Sequence, residues 1–343
     1  VSLDPISRLY GSALEARARL YARGRIPSRR LEHPTISVGN ITFGGTGKTP
    51  LVEWLARRFR FEGRRPAILS RGYGRRSRGV VVVSEGDGPR VDADRGGDEP
   101  VELARRLPGV IIVVARRRAE AAEAGGRLGA NLFLLDDGYQ HLAVRRDVNL
   151  LLLDARDPFG GGWLPPRGRL REPLSALARA DAFVFTRVDR TEPPAAALQT
   201  LQAMRPEAPV FTARIRAAGV RDENGSPVPA AALASRRILA VCGIANPAGF
   251  ASSLAELDLA PEETLAFRDH QRYDDRALAR IVRAAEASGC SWIVTTEKDA
   301  VKLWGRLALP VVAVRLGVEI VEPGFFPFLA SRIAPADVGR VAG

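Results

Sequence analysis

Pro34-Thr-Ile-Ser-Val-Gly-Asn-Ile-Thr-Phe-Gly-Gly-Thr-Gly-Lys-Thr-Pro50 decides how this chain folds. Thr35 to Val38 is a short β-branched run that enters a turn of Gly44, Gly45, Thr46 and Gly47, with Lys48 and Thr49 directly after it. Leu51-Val-Glu-Trp-Leu-Ala-Arg-Arg-Phe59 then carries apolar residues at helical spacing. Strand, glycine turn and helix are the context of a phosphate-binding loop. Glycines let backbone N–H groups converge on phosphate oxygens, and the helix presents its positive end to them. In that reading Gly44 through Thr49 bind the nucleotide, Lys48 reaches the β- and γ-phosphates, and Thr49 places a hydroxyl on Mg²⁺. The strict pattern asks for glycine at position 42, where this chain has Thr42, but Gly39, Gly44 and Gly45 still supply a flexible turn. A glycine-rich turn without nucleotide is the alternative, and it leaves Gly-Lys-Thr at a helix start unexplained.

The bulk composition narrows the class. A chain of 343 residues suits two domains better than one core. At 46% hydrophobic and 26% charged it is a globular chain with sizeable cores. Cys242 and Cys290 have neither disulfide-framework nor metal-ligand spacing and read as reduced core residues. No apolar run approaches the roughly 20 residues of a membrane span, and no apolar signal core opens the chain, so a cytoplasmic protein is expected. The net charge of +12, nearly all arginine on the cationic side, suits acidic membrane surfaces or phosphorylated substrates. Nucleic acid is not expected as a partner, because neither aromatic platforms nor a reader module is present.

Along the chain, residues 1 to 33 read as a basic amphipathic helix. Ile6, Leu9, Tyr10, Ala13, Leu14, Ala16, Ala18, Leu20 and Tyr21 are set among Arg8, Arg17, Arg19, Arg23 and Arg25. Such a helix lies in a membrane interface or packs on the domain with its arginines solvated. Apolar strands then alternate with helical segments, including Ala67 to Ser70, Val110 to Val114, Leu132 to Asp136, Val148 to Asp154 and Ala182 to Val188. Alternation of this kind predicts an α/β fold, a P-loop NTPase-like parallel sheet with helices on both faces. Val210 to Ile215 and Val228 to Leu233, around Glu223-Asn-Gly-Ser226, read as a β-hairpin. The expected domains are therefore 1–209, a hairpin linker over 210–235, and a smaller α/β lobe over 236–343. The segment from Asp157 to Pro173 is a long irregular loop, a length that points to function.

Three groups of residues carry chemistry. Asp136 and Asp137 end an apolar strand where a P-loop fold places its second magnesium-handling element, although a capped strand end looks the same in sequence. Asp98, at a glycine-preceded helix start, is the candidate carboxylate that takes a proton from an alcohol acceptor, with an ordinary N-cap as the alternative. His270, one of three histidines, is the candidate to orient it or share the proton. Arg71, Arg75, Arg169 and Arg171 sit in glycine- or proline-rich turns, where a guanidinium fork suits phosphate, or simply solvent.

Taken together, Ser37-Val-Gly-Asn-Ile-Thr with Gly44-Gly-Thr-Gly-Lys-Thr-Pro50, Ser70-Arg-Gly-Tyr-Gly-Arg75, Gly97-Asp-Glu-Pro100, Asp136-Asp-Gly-Tyr-Gln-His141, Leu170-Arg-Glu-Pro173, Phe267-Arg-Asp-His270 and Thr296-Glu-Lys-Asp-Ala-Val301 resemble the tetraacyldisaccharide 4′-kinase (lipid A 4′-kinase) family. The resemblance implies two α/β lobes joined by a two-stranded linker. It implies transfer of the ATP γ-phosphate, with Mg²⁺, to the 4′-hydroxyl of an acylated glucosamine disaccharide 1-phosphate, giving the 1,4′-bisphosphate and ADP. It places the enzyme peripherally on the cytoplasmic face of the bacterial inner membrane, where an anionic surface fits the basic N-terminal helix. No obligate protein partner follows from it. By motif position Asp98 matches the catalytic base and His270 its dyad partner. Asp136 and Asp137 match the acidic pair near magnesium, and Arg71, Arg171 and Glu172 match active-site residues. The Thr296 to Asp299 loop is a candidate contact for the nucleotide base.

Two rival readings use the same loop. One is a nucleotide-driven dimerising switch, although Phe43 stands where many such loops have a lysine before the paired glycines. The other is a soluble small-molecule kinase whose basic N-terminus is incidental.

Overall fold

The computed structural model describes residues 4–188, 191–244, 246–269 and 271–333. It opens with α1 (Asp4–Ala22), followed by β1 (Thr35–Asn40), α2 (Lys48–Phe61), β2 (Pro66–Ser70) and β3 (Val81–Ser84). Next come α3 (Ala93–Gly96), α4 (Asp98–Arg106), β4 (Ile111–Val114), α5 (Arg118–Arg127), β5 (Leu132–Asp136), β6 (Val148–Asp154) and β7 (Ala182–Thr186). The chain continues through α6 (Ala195–Met204), β8 (Val210–Arg221), β9 (Pro227–Val228), α7 (Ala230–Ala234), β10 (Ile238–Cys242), α8 (Pro247–Ala255) and β11 (Glu263–Ala266). It ends with α9 (Asp275–Ala287), β12 (Trp292–Thr296), α10 (Glu297–Leu303), β13 (Val311–Ile320) and α11 (Phe325–Arg332).

Two compact units emerge, and neither follows chain order. One comprises the chain through Arg71, Gly109–Ile215 and the segment from Val318 onward; the other comprises Gly72–Pro108 and Arg216–Gly317. The cuts at 209 and 235 expected from sequence treat the chain as sequential blocks. Segment 72–108 instead joins the later part of the chain because α4 packs on α10. The linker also differs from the hairpin reading. Only Pro227 and Val228 pair back antiparallel on β8, and Leu233 is helical, in α7. The two strands that pass from one unit to the other are β8 and β13, neighbours in the sheet order.

In the first unit the strand order is β8-β7-β6-β1-β5-β2-β4, with every pairing parallel. β1, β2, β5 and β7 are buried along their whole length, as strands covered on both faces must be. Helix α5 packs Ala121, Ala122 and Ala124 against Ala67, Leu69, Phe133 and Leu135. β1 lies between β5 and β6, so the connection leaving β1 goes to one side and the chain later returns on the other. That reversal makes the carboxyl end of β1 a switch point, where open α/β sheets bind ligands.

The second unit is built on β11-β10-β12-β13, also parallel. Alternation along β10 feeds two cores: Ile238, Ala240 and Cys242 pack with Phe250 and Leu254, while Leu239 and Val241 pack with Ala277, Ile281 and Ala285. Both cysteines are buried and free, as their spacing suggested.

Helix α1 explains part of its own pattern. Ser7 and Gly11 form the buried side with Leu14, Ser7 Oγ donating to the Leu164 and Pro165 carbonyls at 3.1 Å. Because these small residues face inward, Leu9, Tyr10 and Leu20 are left exposed beside Arg8, Arg17 and Arg19.

Candidate functional site

The loop after β1 is held from several directions. Asn40, the last residue of the buried strand, donates from Nδ2 to the Thr42 carbonyl at 2.8 Å and accepts at Oδ1 from Lys48 Nζ at 3.1 Å. Gln140 Nε2 donates to the Asn40 carbonyl at 2.8 Å. Thr186, ending β7, donates from Oγ1 to the Thr46 carbonyl at 3.0 Å, and Arg187 donates to the Gly45 carbonyl at 2.8 Å while pairing with Asp154 at 3.0 Å. Gly47 caps α2 at φ 81°, and a Cβ there would stand 2.0 Å from Ile215 Cδ1, so the turn admits glycine only. Pro50 lies in the first turn of α2, where a missing N–H costs no intrahelical bond. Gly44, Gly45, Thr46, Gly47, Lys48 and Thr49 thus form one glycine turn onto a helix N-terminus.

The two aspartates at the end of β5 have different surroundings. Asp136 is buried in register with Val38 of β1 and accepts from Ser70 Oγ at 3.3 Å. Asp137 turns outward in a left-handed conformation, φ 49°, which only a locally stabilised non-glycine residue holds. Its carboxylate lies 3.4 Å from Lys48 Nζ and 2.8 Å from an Arg171 guanidinium nitrogen. Burial alone would push the Asp137 carboxyl up; Lys48 and Arg171 overcome that and hold it below the usual carboxylate range.

The irregular segment from 157 to 173 is fastened onto this loop. Arg171 N donates to the Ile41 carbonyl at 2.6 Å, Phe43 N donates to the Arg169 carbonyl at 2.7 Å, and Thr42 bridges Leu170 antiparallel. Arg171 also stands over the Phe43 ring. Glu172 faces elsewhere: both its oxygens take Arg179 at 2.8 Å, and that guanidinium covers the ring of Tyr139. Arg169 pairs with Asp157 on the exposed side, and Arg71 is exposed just after β2.

Asp98 belongs to the second unit. Gly97, at φ 90°, starts α4, and a Cβ there would come within 3.1 Å of Gly72 Cα, so the Ser70–Arg75 and Gly97–Pro100 motifs meet glycine to glycine. Asp98 Oδ2 lies 2.7 Å from Lys302 Nζ. Arg75 donates to the Gly79 carbonyl at 2.7 Å and braces that turn from within. His270 lies outside the described residues. The Thr296–Asp299 stretch is a capped helix start and not a loop. Thr296 accepts from Asp299 N, and the fully buried Asp299 carboxylate accepts from Gly243 N at 2.8 Å and from the Thr296 hydroxyl at 2.7 Å. Glu297 pairs with Arg106 and Lys298 with Asp269, so these two side chains are engaged within the unit. Lys302, Asn40 and Arg179 were not singled out in the sequence. Asn40 had a signal, a polar residue ending a buried strand.

A glycine turn at the switch point of a parallel sheet, with a lysine and a threonine opening the next helix, defines an α/β phosphate-loop nucleotide-binding protein. The Tetraacyldisaccharide-1-P 4′-kinase (LpxK) family model matches residues 1–334, and the chain belongs to that family. It is 44% identical over 327 residues to a tetraacyldisaccharide 4′-kinase of Pelobacter propionicus, covering 94% of this chain and 89% of that one. It is 43% identical over 352 residues to one of Anaeromyxobacter sp. strain K, covering 96% and 91%. Among solved structures it resembles LpxK from Aquifex aeolicus in complex with ATP, at a TM-score of 0.77 and 31% identity, covering 96% of this chain and 98% of that one.

Proposed function

We propose that this chain carries out its family's reaction with the residues just described. The reaction is ATP-dependent phosphorylation of the 4′-hydroxyl of a tetraacyldisaccharide 1-phosphate in lipid A biosynthesis. The hydroxyl oxygen bonds to the γ-phosphorus as the bond to the β,γ-bridging oxygen breaks; ADP leaves and the hydroxyl proton passes to a carboxylate. Asp98 is the proposed acceptor of that proton, and His270 its proposed partner. The loop amides and Lys48 hold the β- and γ-phosphates, and Arg171 and Arg71 face the phosphoryl charge. Asp137 holds Lys48 and Arg171 in place, and Glu172 acts through Arg179 as a support of the loop's underside.

The residues also fit Mg²⁺. Among the described residues no group of three or more histidines, cysteines or carboxylates forms a closed metal cage. Magnesium in kinases takes one or two carboxylates with phosphate and water oxygens, so a hydroxyl and a strand-end carboxylate suffice. Thr49 and Asp136 would hold it, and it would neutralise charge on the β- and γ-phosphate oxygens.

Among the described residues no helix is long and apolar enough to cross a membrane. We place the enzyme peripherally on the anionic cytoplasmic leaflet of the inner membrane, with α1 as the docking element, because Leu9, Tyr10 and Leu20 are exposed among arginines.

The observation that carries the reading is Lys48 at the start of α2, held by Asn40 and Asp137. The test is transfer of label from γ-labelled ATP to detergent-dispersed tetraacyldisaccharide 1-phosphate, with and without Mg²⁺. Label is expected in the lipid only with Mg²⁺, and Asp98→Ala is expected to bind ATP normally yet transfer about a hundredfold or more slowly. Full transfer by Asp98→Ala would remove Asp98 from the mechanism.

A further inference from the structure

The stretch Thr296-Glu-Lys-Asp-Ala-Val-Lys302 has no role in the chemistry above, yet most of its polar side chains are committed to a partner. Thr296 caps α10 and Asp299 ties it to the end of β10 through Gly243. Lys298 and Lys302, four apart, lie on one face of α10. Lys298 Nζ lies 2.8 Å from Asp269. Lys302 Nζ lies 2.7 Å from Asp98 Oδ2 and donates to the Gln271 carbonyl at 3.0 Å. One helical face thus grips the start of α4 together with Asp269 and Gln271.

Helices α4 and α10 run antiparallel with an ion pair at each end. At one end Arg106 pairs with Glu297 at 2.5 Å and Glu102 at 3.0 Å; at the other is Lys302 with Asp98. Lys302 and Asp98 are only 12% and 17% exposed, so the pair is largely removed from water. A buried ion pair is weak evidence for stability, because apolar residues of the same volume often serve as well. The pair that includes Asp98 therefore calls for a reason other than holding the helices together. We infer that Lys302 is a positioning residue for Asp98: its ammonium, itself anchored on the Gln271 carbonyl, holds one carboxylate oxygen, so that Asp98 meets the acceptor hydroxyl in one orientation. This rests on reading Asp98 as the proton acceptor.

The test is steady-state transfer by the full chain with ATP and tetraacyldisaccharide 1-phosphate. Lys302→Met is expected to lower kcat at least about tenfold with KM for ATP changed less than about twofold, the signature of a group acting after nucleotide binding. Lys302→Arg, which keeps the charge, is expected to recover part of the loss. Lys302→Gln, which keeps donors without the charge, is measured alongside in case the methionine variant does not fold. Glu297→Gln breaks the other ion pair of the same two helices and is expected to keep kcat within about threefold. Combining Lys302→Met with Asp98→Asn is expected to be no slower than Asp98→Asn alone, since the two act as a unit. Unchanged kcat in both Lys302→Met and Lys302→Gln overturns the inference, as does an equal loss in Glu297→Gln or a multiplicative double variant. Full activity in Asp98→Asn overturns instead the reading of Asp98 on which it stands.

Discussion

Lys48 Nζ lies 3.4 Å from Asp137 Oδ1 and 3.1 Å from Asn40 Oδ1, so the loop lysine is held by the strand that precedes it and by the end of the strand beside it. Two oxygens from adjacent parallel strands fix an otherwise flexible four-carbon stem. Lys48→Ala is expected to lower kcat by about a hundredfold or more, the scale for losing one preorganised charge-stabilising donor. Asp137→Asn is expected to lower it less and to raise KM for ATP, since it frees Lys48 and Arg171 without removing them. Steady-state kinetics of both variants check this; an Asp137→Asn enzyme with wild-type constants would count against the positioning role.

Backbone strain and side-chain crowding separate cleanly at the two glycines that flank α2. Gly47 has φ +81° with Ile215 Cδ1 in the way, whereas Gly63 has φ +80° with open space around it. Alanine at Gly63 meets only the left-handed penalty of roughly 1–2 kcal/mol. Alanine at Gly47 meets the same penalty and also displaces Ile215 beneath the phosphate loop. We expect a larger loss in Tm for Gly47→Ala than for Gly63→Ala, and weakened ATP binding only in Gly47→Ala. Calorimetric titration with ATP distinguishes the two.

Acid sensitivity has a specific source in His141. Burial, reinforced by Arg118, Arg146, Arg17 and Arg71, pushes its imidazole down to about 4. In the unfolded chain it titrates near 6.5, so the unfolded state binds the extra proton first as pH falls. Its contribution to stability is complete above about pH 6.5 and is lost as pH falls toward about 4. His141→Gln is expected to lose less of its urea midpoint between pH 7.5 and pH 5 than the parent chain does. Equal losses in both would show that other groups dominate the window.

The outward side of α1 predicts a surface phenotype. Leu9→Ser with Tyr10→Ser is expected to reduce sedimentation with phosphatidylglycerol-containing vesicles, leaving Tm nearly unchanged because both residues are exposed. Raising salt is expected to weaken the parent's binding, since arginine attraction to anionic lipid is screened within about a Debye length. Gly11→Leu is the contrasting change: a Cβ there already stands 2.9 Å from Leu164 Cδ1, so it should disturb the fold and not merely the docking.

Much of the fold was legible because its signals are local. β-branched runs fully buried on both faces, such as Ile111–Val114, leave a continuous apolar string in the sequence. The loop was legible despite Thr42, because Gly47 must adopt a positive φ and Lys48 must open a helix whatever stands at position 42. The hairpin was only half legible. The Asn-Gly turn exists, but Ala230–Ala234 is alanine-rich and continues as helix, which a strand expectation through Leu233 overlooked.

By itself the sequence determined the alternation of strands and helices around the phosphate loop, the loop itself and the identity of its lysine and threonine, because each depends on residues within a turn or two of one another. Only the tertiary structure decided that Asp137, rather than Asp136, takes Lys48 and Arg171, that Glu172 turns to Arg179, and that Lys302 meets Asp98. Such pairings join residues distant in the chain. They follow from strand register, from one left-handed residue at the end of β5 and from the packing of α4 on α10, none of which leaves a periodic trace in the sequence.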